Sequence, residues 1–132
     1  MESILNERKL KWNLLEYGKY DRNAYFDDLK IAKGAIFLSP SESQGLALQE
    51  AWIRDVPTLV WNSGIAKDKD VLWYSEKIGA PYLTDESGIF FKDKNEFVEK
   101  LDIFLSKHFE PRKYCLANLT DEISTQKLLE II

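Results

Sequence analysis

The 132-residue sequence has little cysteine and histidine and no excess of basic residues. With one cysteine and one histidine, it cannot form an internal disulfide, and it offers no His/Cys cluster to a metal. Its 18 basic and 22 acidic residues give a net charge of −4, which argues against nucleic acid as a partner. No apolar run approaches the roughly 20 residues of a membrane span, and no signal peptide is evident. We therefore expect a cytoplasmic protein in which Cys115 is a small buried hydrophobe and His108 is structural.

Apolar residues, by contrast, are plentiful. Hydrophobic residues make up 45% of the chain and include four tryptophans. A chain of this length suits a single domain, here residues 1–132, and buries roughly two thirds of its unfolded surface. Strand-like and helix-like segments alternate, which predicts an α/β fold with a Rossmann-like, mostly parallel sheet and flanking helices.

The predicted elements follow from hydrophobic spacing, glycine and proline. In the first half we expect a helix tail over 1–9, then a strand over Leu10–Tyr17 and a helix from Tyr20 to Lys33 ended by Gly34. After these we expect a strand over Ala35–Leu38, a helix over Leu46–Arg54 and a strand opened by Pro57. In the second half we expect an exposed charged loop over 66–70 and apolar segments at 80–83 and 88–91. Val71–Ile78 fits either a helix or a strand; we favour the helix, with Trp73 and Tyr74 packed inside. We further expect helices begun by Pro111 and Thr120, and before them a helix capped by Asn95, with an apolar stripe at Phe97, Val98, Leu101, Phe104 and Leu105.

Two polar turns follow predicted strands and are the candidate site. The first, Ser39–Gly45, separates the strand at 35–38 from the helix at 46–54, and the second is Asn62–Gly64. In a parallel sheet both turns open on the same edge, where α/β proteins bind ligands. The free N–H groups at a helix start suit an anion such as phosphate. Glu42 can cap that helix, whereas Glu50 lies in a helix that is apolar nearly all round and needs a partner.

This stretch resembles the donor-binding half of retaining GT-B glycosyltransferases related to glycosyltransferase family 4. The shared signature is a Ser-Glu pair, a turn glycine, a second glutamate eight residues after the first, an alanine behind it and a strand that opens with proline. Here it reads Ser41, Glu42, Gly45, Glu50, Ala51 and Pro57. Two positions depart from the pattern: Gln44 stands where an aromatic residue is usual, and Asp55 where a glycine usually ends the helix.

The resemblance implies a role for each matching residue. Glu42 would approach the sugar ring as the catalytic position, and Glu50 would accept hydrogen bonds from the ribose. The backbone around Gln44, Gly45 and Leu46 would face the diphosphate. Ser41 belongs to the same donor-binding signature, and Gly64 would lie beside the donor sugar. The implied reaction transfers a sugar from a UDP- or GDP-sugar with retention of configuration, without a metal or other cofactor.

The resemblance also implies that the domain is incomplete. It extends loosely from Leu10 to Lys107 and covers about four strands, the third to sixth of a donor domain. The first two strands, the basic residues that grip the diphosphate, and the N-terminal acceptor domain have no counterpart. We therefore expect a fragment-like module that is inactive alone, with an open sheet edge near Ala35–Leu38 that permits a homodimer. In a full-length enzyme a membrane-peripheral location is an alternative to a purely cytoplasmic one.

Two other interpretations stay open. One is a non-catalytic binding or assembly module derived from a truncated glycosyltransferase, which the missing basic residues favour. The other is an unrelated flavodoxin-like or receiver-like domain. That fold needs an acidic cluster or a phosphate loop after its first strand, and Gly18-Lys19-Tyr20 offers neither.

Overall fold

The computed structural model describes residues 1–132 as an α/β fold with a small parallel sheet between helices. The helices are α1 (Glu2–Glu7), α2 (Arg22–Ile31), α3 (Leu46–Trp52), α4 (Lys94–Ser106), α5 (Pro111–Asn118) and α6 (Asp121–Ile131). The strands are β1 (Ala35–Phe37), β2 (Thr58–Trp61), β3 (Ile65–Asp68), β4 (Val71–Tyr74) and β5 (Gly88–Phe91). None of the helices is long and apolar enough to span a membrane.

The main sheet has three strands in the order β1-β2-β5, and all of its pairs are parallel. β2 is the central strand, and its residues Leu59 and Val60 are fully buried. Successive residues of a strand point to opposite faces, so these two lie on different sides of the sheet. Leu59 joins an apolar cluster with α1 and α4, and Val60 joins one with α3 and α5. A third cluster packs α2 against α3 through Tyr25, Leu29 and Ala51. The predicted α/β architecture is therefore confirmed at this level.

The predicted strand over Leu10–Tyr17 is wrong. Residues 10–16 have no regular structure, and side chains hold them in place: Trp12 donates to Asn6 at 2.9 Å, and Asn13 donates to Asp28 at 2.7 Å. Leu10 and Leu15 pack against different apolar clusters. Because they are five residues apart, they cannot share one face of a strand with a period of two.

The predicted helix over Val71–Ile78 is also wrong. β3 and β4 form a two-stranded antiparallel hairpin that closes through the two residues after Asp68, where Lys69 has a φ of 52°. All four residues of β4 are exposed, so Trp73 and Tyr74 do not pack inside as expected; Tyr74 is 72% exposed. The charged segment at 66–70 is exposed as expected except for Ala66, which is buried and belongs to β3.

Helix ends differ from the predictions in several places; α3, for example, ends at Trp52 rather than Arg54. α2 ends at Ile31 rather than near Lys33, and Gly34 lies against the ring of Phe104 instead of closing the helix. α4 is capped by Asp93, not Asn95, because the Asp93 carboxylate accepts the N–H groups of the second and third helical residues at 2.8 and 2.9 Å. Leu105 is exposed and lies off the buried stripe of α4. The starts of α5 at Pro111 and of α6 after Thr120 are confirmed.

Candidate functional site

The turn between β1 and α3 leaves the carboxyl end of β1 and is anchored by few hydrogen bonds. Ser39 donates its hydroxyl to the carbonyl of Ser41 at 2.9 Å, and the Glu42 N–H donates to the carbonyl of Ile78 at 2.9 Å. The side chains of Ser41 and Gln44 are exposed. The first contact keeps the turn tight, and the second fastens it to the loop that follows β4.

Gly45 is the residue that ends this turn and begins α3. It has φ 66° and ψ 47°, in the left-handed region that disfavours side chains, and it is the N-cap of the helix. A Cβ at this position would also lie 2.9 Å from Cδ1 of Leu48. The N–H groups of Gln44, Gly45 and Leu46 donate no hydrogen bond within the protein. Three free main-chain donors therefore follow one another at the carboxyl edge of the sheet.

The second turn, Asn62–Gly64, leaves the carboxyl end of β2. Asn62 is buried, donates its amide to the carbonyl of Glu76 at 2.5 Å and accepts the N–H of Gly79 at 3.1 Å. Gly64 has a φ of 75°. Because β1 and β2 are adjacent and parallel, this turn and the first one open on the same edge of the sheet, as the sequence predicts.

The segment 76–79 joins the two turns. Its carbonyl at Ile78 receives the Glu42 N–H, and its groups at Glu76 and Gly79 hold the Asn62 side chain. The expected proximity of the two turns thus depends on a third segment, which sequence reasoning assigned to a helix. The buried Asn62 directly after a strand was the available signal for this arrangement.

Glu42 does not cap α3, contrary to the expectation. The N-cap is Gly45, and no side chain caps the helix start. The Glu42 carboxylate, which is half-buried, makes no hydrogen bond or ion pair within the protein. A half-buried acceptor without a partner is free to receive hydroxyl donors from a ligand.

Glu50 has a protein partner. Its side chain is 24% exposed, and its Oε1 accepts a hydrogen bond from the guanidinium of Arg22 in α2. The helix around it is not covered on all sides, since Leu46 is 68% exposed while Leu48 and Trp52 are buried. Glu42 and Glu50 therefore contact different neighbours, the first the 76–79 segment and the second α2.

The interface of α2 and α3 surrounds Glu50 with groups that sequence reasoning missed. The Tyr25 hydroxyl donates to the carbonyl of Ala47 at 2.6 Å. Burial raises the pKa of the Tyr25 phenol, and the negative charge of Glu50 raises it further. Arg54 donates to the main-chain carbonyl of Glu50 at 3.0 Å. Arg22 and Glu50 are 28 positions apart, and no local pattern connects them.

A polar cleft of about 650 Å³ lies beside the second turn, where β2 and β5 end. The turn lines one side of this cleft. The rest of the lining includes an aromatic ring and charged side chains of both signs, namely Tyr74, Glu76, Glu96, Lys92 and Lys100. The Glu96 carboxylate accepts the N–H of Lys92 at 2.7 Å. A second cleft of similar volume lies between Asp55 and α5, at the opposite edge of the sheet. The predicted turn Asn62–Gly64 lines the first cleft, whereas no pattern in the sequence indicated the second.

Comparison of the chain with family models, with curated proteins and with solved structures found no match.

Proposed function

We propose that the chain is a glycosyltransferase donor-site domain, which binds a nucleotide diphosphate-sugar for transfer with retention of configuration. The observation that carries this proposal is the run of free N–H groups at Gln44, Gly45 and Leu46, directly after β1. Successive unpaired N–H groups in a turn attract phosphate oxygens. Both glutamates of the signature are partly buried, as sugar-binding acceptors would be.

The strand order supports the same proposal. In a doubly wound sheet of order 3-2-1-4-5-6, the last three strands lie side by side and parallel. β1, β2 and β5 are parallel and in that sequence. In this assignment the Gly45 turn meets the diphosphate, Glu42 approaches the sugar ring, Glu50 accepts the ribose hydroxyls, and Gly64 lies beside the sugar.

Binding of UDP and GDP tests the proposal. We expect one of them to raise the Tm and to give a saturable isotherm in calorimetry, and we expect Gly45→Val to abolish that binding. Glu50→Gln should lower affinity roughly tenfold or more, because a hydrogen bond to a charged acceptor contributes about 1.5–3 kcal/mol. Glu99→Gln on the exposed face of α4 is the matched control and should bind like the wild type. Equal affinity in wild type, Gly45→Val and Glu50→Gln would contradict the assignment.

We further expect the 132-residue chain not to transfer sugar unaided. Charge develops on the leaving diphosphate, and its stabilisation needs positive groups placed in advance. None of the hydrogen bonds or ion pairs made by residues 39–45 involves lysine or arginine. Incubation of the purified chain with UDP- and GDP-sugars and chromatography of the products checks this, and measured transfer would refute it.

A non-catalytic binding or assembly module is the second candidate. It is favoured by the apolar residues left exposed on β4 and α6, namely Val71, Leu72, Trp73, Leu128, Leu129 and Ile131. Nucleotide binding distinguishes the two candidates, because an assembly module does not require it.

A further inference from the structure

We propose that Arg22 is a positioning residue, which holds the carboxylate of Glu50 in the orientation that receives the ribose hydroxyls of the nucleotide. This inference rests on the proposed function. The guanidinium of Arg22 donates to Oε1 of Glu50 alone, and Oε2 makes no hydrogen bond within the protein. The contact therefore fixes one oxygen of the carboxylate and leaves the other available.

The orientation of Arg22 is limited by a contact with an aromatic ring of its own helix, α2. Its guanidinium lies 5.0 Å from the centre of the Phe26 ring, and Arg54 lies over the same ring at 4.0 Å. Planar guanidinium groups stack on aromatic rings, so the ring limits the orientations that Arg22 can adopt. The Tyr25 hydroxyl binds the Ala47 carbonyl and keeps α2 against α3. The position of the Glu50 carboxylate is thus set by a neighbouring helix.

Stability alone gives a weak reason for this pair. The Arg22 side chain is 72% exposed, and ion pairs with one solvent-exposed partner add little to the free energy of unfolding. The contact between Arg22 and Glu50 matters more for how the carboxylate can bind a ligand than for stability. An ionised carboxylate has about four acceptor positions, so a carboxylate with one oxygen bound to arginine can still accept both hydroxyls of a ribose. A fixed carboxylate loses less side-chain freedom when those hydroxyls bind.

Calorimetry with UDP, GDP and the 2′,3′-dideoxy analogue of whichever binds tests the inference. In the wild type the analogue should bind more weakly, since it has no hydroxyl for Glu50. We expect Arg22→Ala to lower affinity for the parent nucleotide roughly tenfold and to reduce its preference over the analogue. Arg22→Lys should recover part of that preference. Arg54→Ala is the matched control, because Arg54 stacks on the same ring but bonds only the main chain of Glu50.

The ratio of the two affinities separates positioning from a structural role, because general loss of stability lowers both affinities together. Arg22→Ala with wild-type affinity and wild-type preference would overturn the inference and leave nucleotide binding intact. Tighter binding by Arg22→Ala would overturn it too, since Arg22 would then compete with the ribose. If the wild type binds neither UDP nor GDP, the proposed function fails, and the inference fails with it.

Discussion

At the scale of single residues, the Tyr25 phenol is the group whose chemistry is most changed by the fold. It is buried between α2 and α3, it donates to the carbonyl of Ala47, and Glu50 lies close enough to act on its charge. All three circumstances favour the protonated phenol. A hydroxyl that must keep its proton to hold two helices together makes stability depend on pH.

We expect the free energy of unfolding to fall as the pH rises past about 10, where a tyrosine in the unfolded chain loses its proton. Folding raises the pKa of Tyr25, so below the unfolded pKa its contribution to stability is complete, and it is lost as the pH rises toward the folded pKa. Urea unfolding at pH 7 to 10.5 measures this effect.

Tyr25→Phe should be less stable than the wild type at pH 7 by about 1 kcal/mol, the contribution of one hydrogen bond. It should also lose stability less steeply in alkali. Burial raises the pKa of the Tyr114 phenol and of the Cys115 thiol as well. Both groups are present in the wild type and in Tyr25→Phe, so the difference between the two alkaline slopes reports Tyr25. A Tyr25→Phe protein with the wild-type alkaline slope would contradict this account.

Single residues also show how far the sequence predicts the candidate site. The turn glycine, the two glutamates and the position of both turns at one sheet edge follow from local pattern, since each depends on neighbours in the chain. The partner of Glu50 does not, because Arg22 is reached only through the packing of α2 on α3. The 76–79 segment is missed for the same reason: its bonds to Glu42 and Asn62 join residues far apart in sequence.

At the scale of elements, the closest approach in the sheet is between β5 and β2. A Cβ on Gly88 would lie 2.1 Å from the carbonyl oxygen of Thr58, the residue with which it pairs. Atoms of the backbone cannot move aside as a side chain can. The register of β2 and β5 therefore depends on glycine at this position.

We expect Gly88→Ala to lower the free energy of unfolding by about 3 kcal/mol or more, at the upper end of the range for overpacked cores. Gly18→Ala is the control: its Cβ meets no atom within 4 Å, but its φ of 77° disfavours alanine. Its cost should be about 1–2 kcal/mol, the strain of the left-handed conformation alone. Chemical denaturation of both variants measures the difference. Equal losses in the free energy of unfolding would show that β2 and β5 can move apart around the added methyl group, and would contradict the expectation.

Elements with strong local signals are predicted well. α2, β1, α3, β2, β5, α4, α5 and α6 follow from apolar spacing, caps and proline, with errors of a few residues at the ends. The failures lie where tertiary pairing decides. Residues 10–16 have alternating apolar residues but no strand beside them, so no ladder forms. The β4 segment has an apolar run that fits a helix or a strand, and only its pairing with β3 decides between them.

At the scale of the whole molecule, apolar groups and a strand edge remain uncovered. β1 is an edge strand, and because Ala35 donates to the carbonyl of Pro57, the N–H of Ile36 points away from β2. α6 has no buried residue, and Leu128, Leu129 and Ile131 are exposed on it. Unpaired strand edges and exposed apolar faces recruit further chains.

We expect the chain to self-associate, with a molar mass by light scattering that rises above 15.4 kDa with concentration. Ile36→Pro removes the outward donor of β1 without removing a bond to β2, and the double change of Leu128 and Leu129 to Glu makes α6 polar. The variant that restores the monomer identifies the surface. A wild type that stays monomeric at high concentration would contradict the expectation, and the Tm of each variant shows whether it is folded.

The order of the strands along the chain has a consequence for the time course of folding. β2 pairs with β1 across 23 positions of sequence and with β5 across 30, as in Ala35↔Thr58 and Thr58↔Gly88. Loops of that length must close before the parallel ladders form, whereas β3 and β4 meet through a two-residue turn. The loop that fastens Glu42 and Asn62 lies between β2 and β5. Asn62 also donates its N–H to the carbonyl of Phe91 in β5 at 2.9 Å. On a ribosome, we therefore expect the two turns to acquire their final geometry only after residues 88–91 have emerged, so that the edge carrying both turns is among the last parts of the sheet to form.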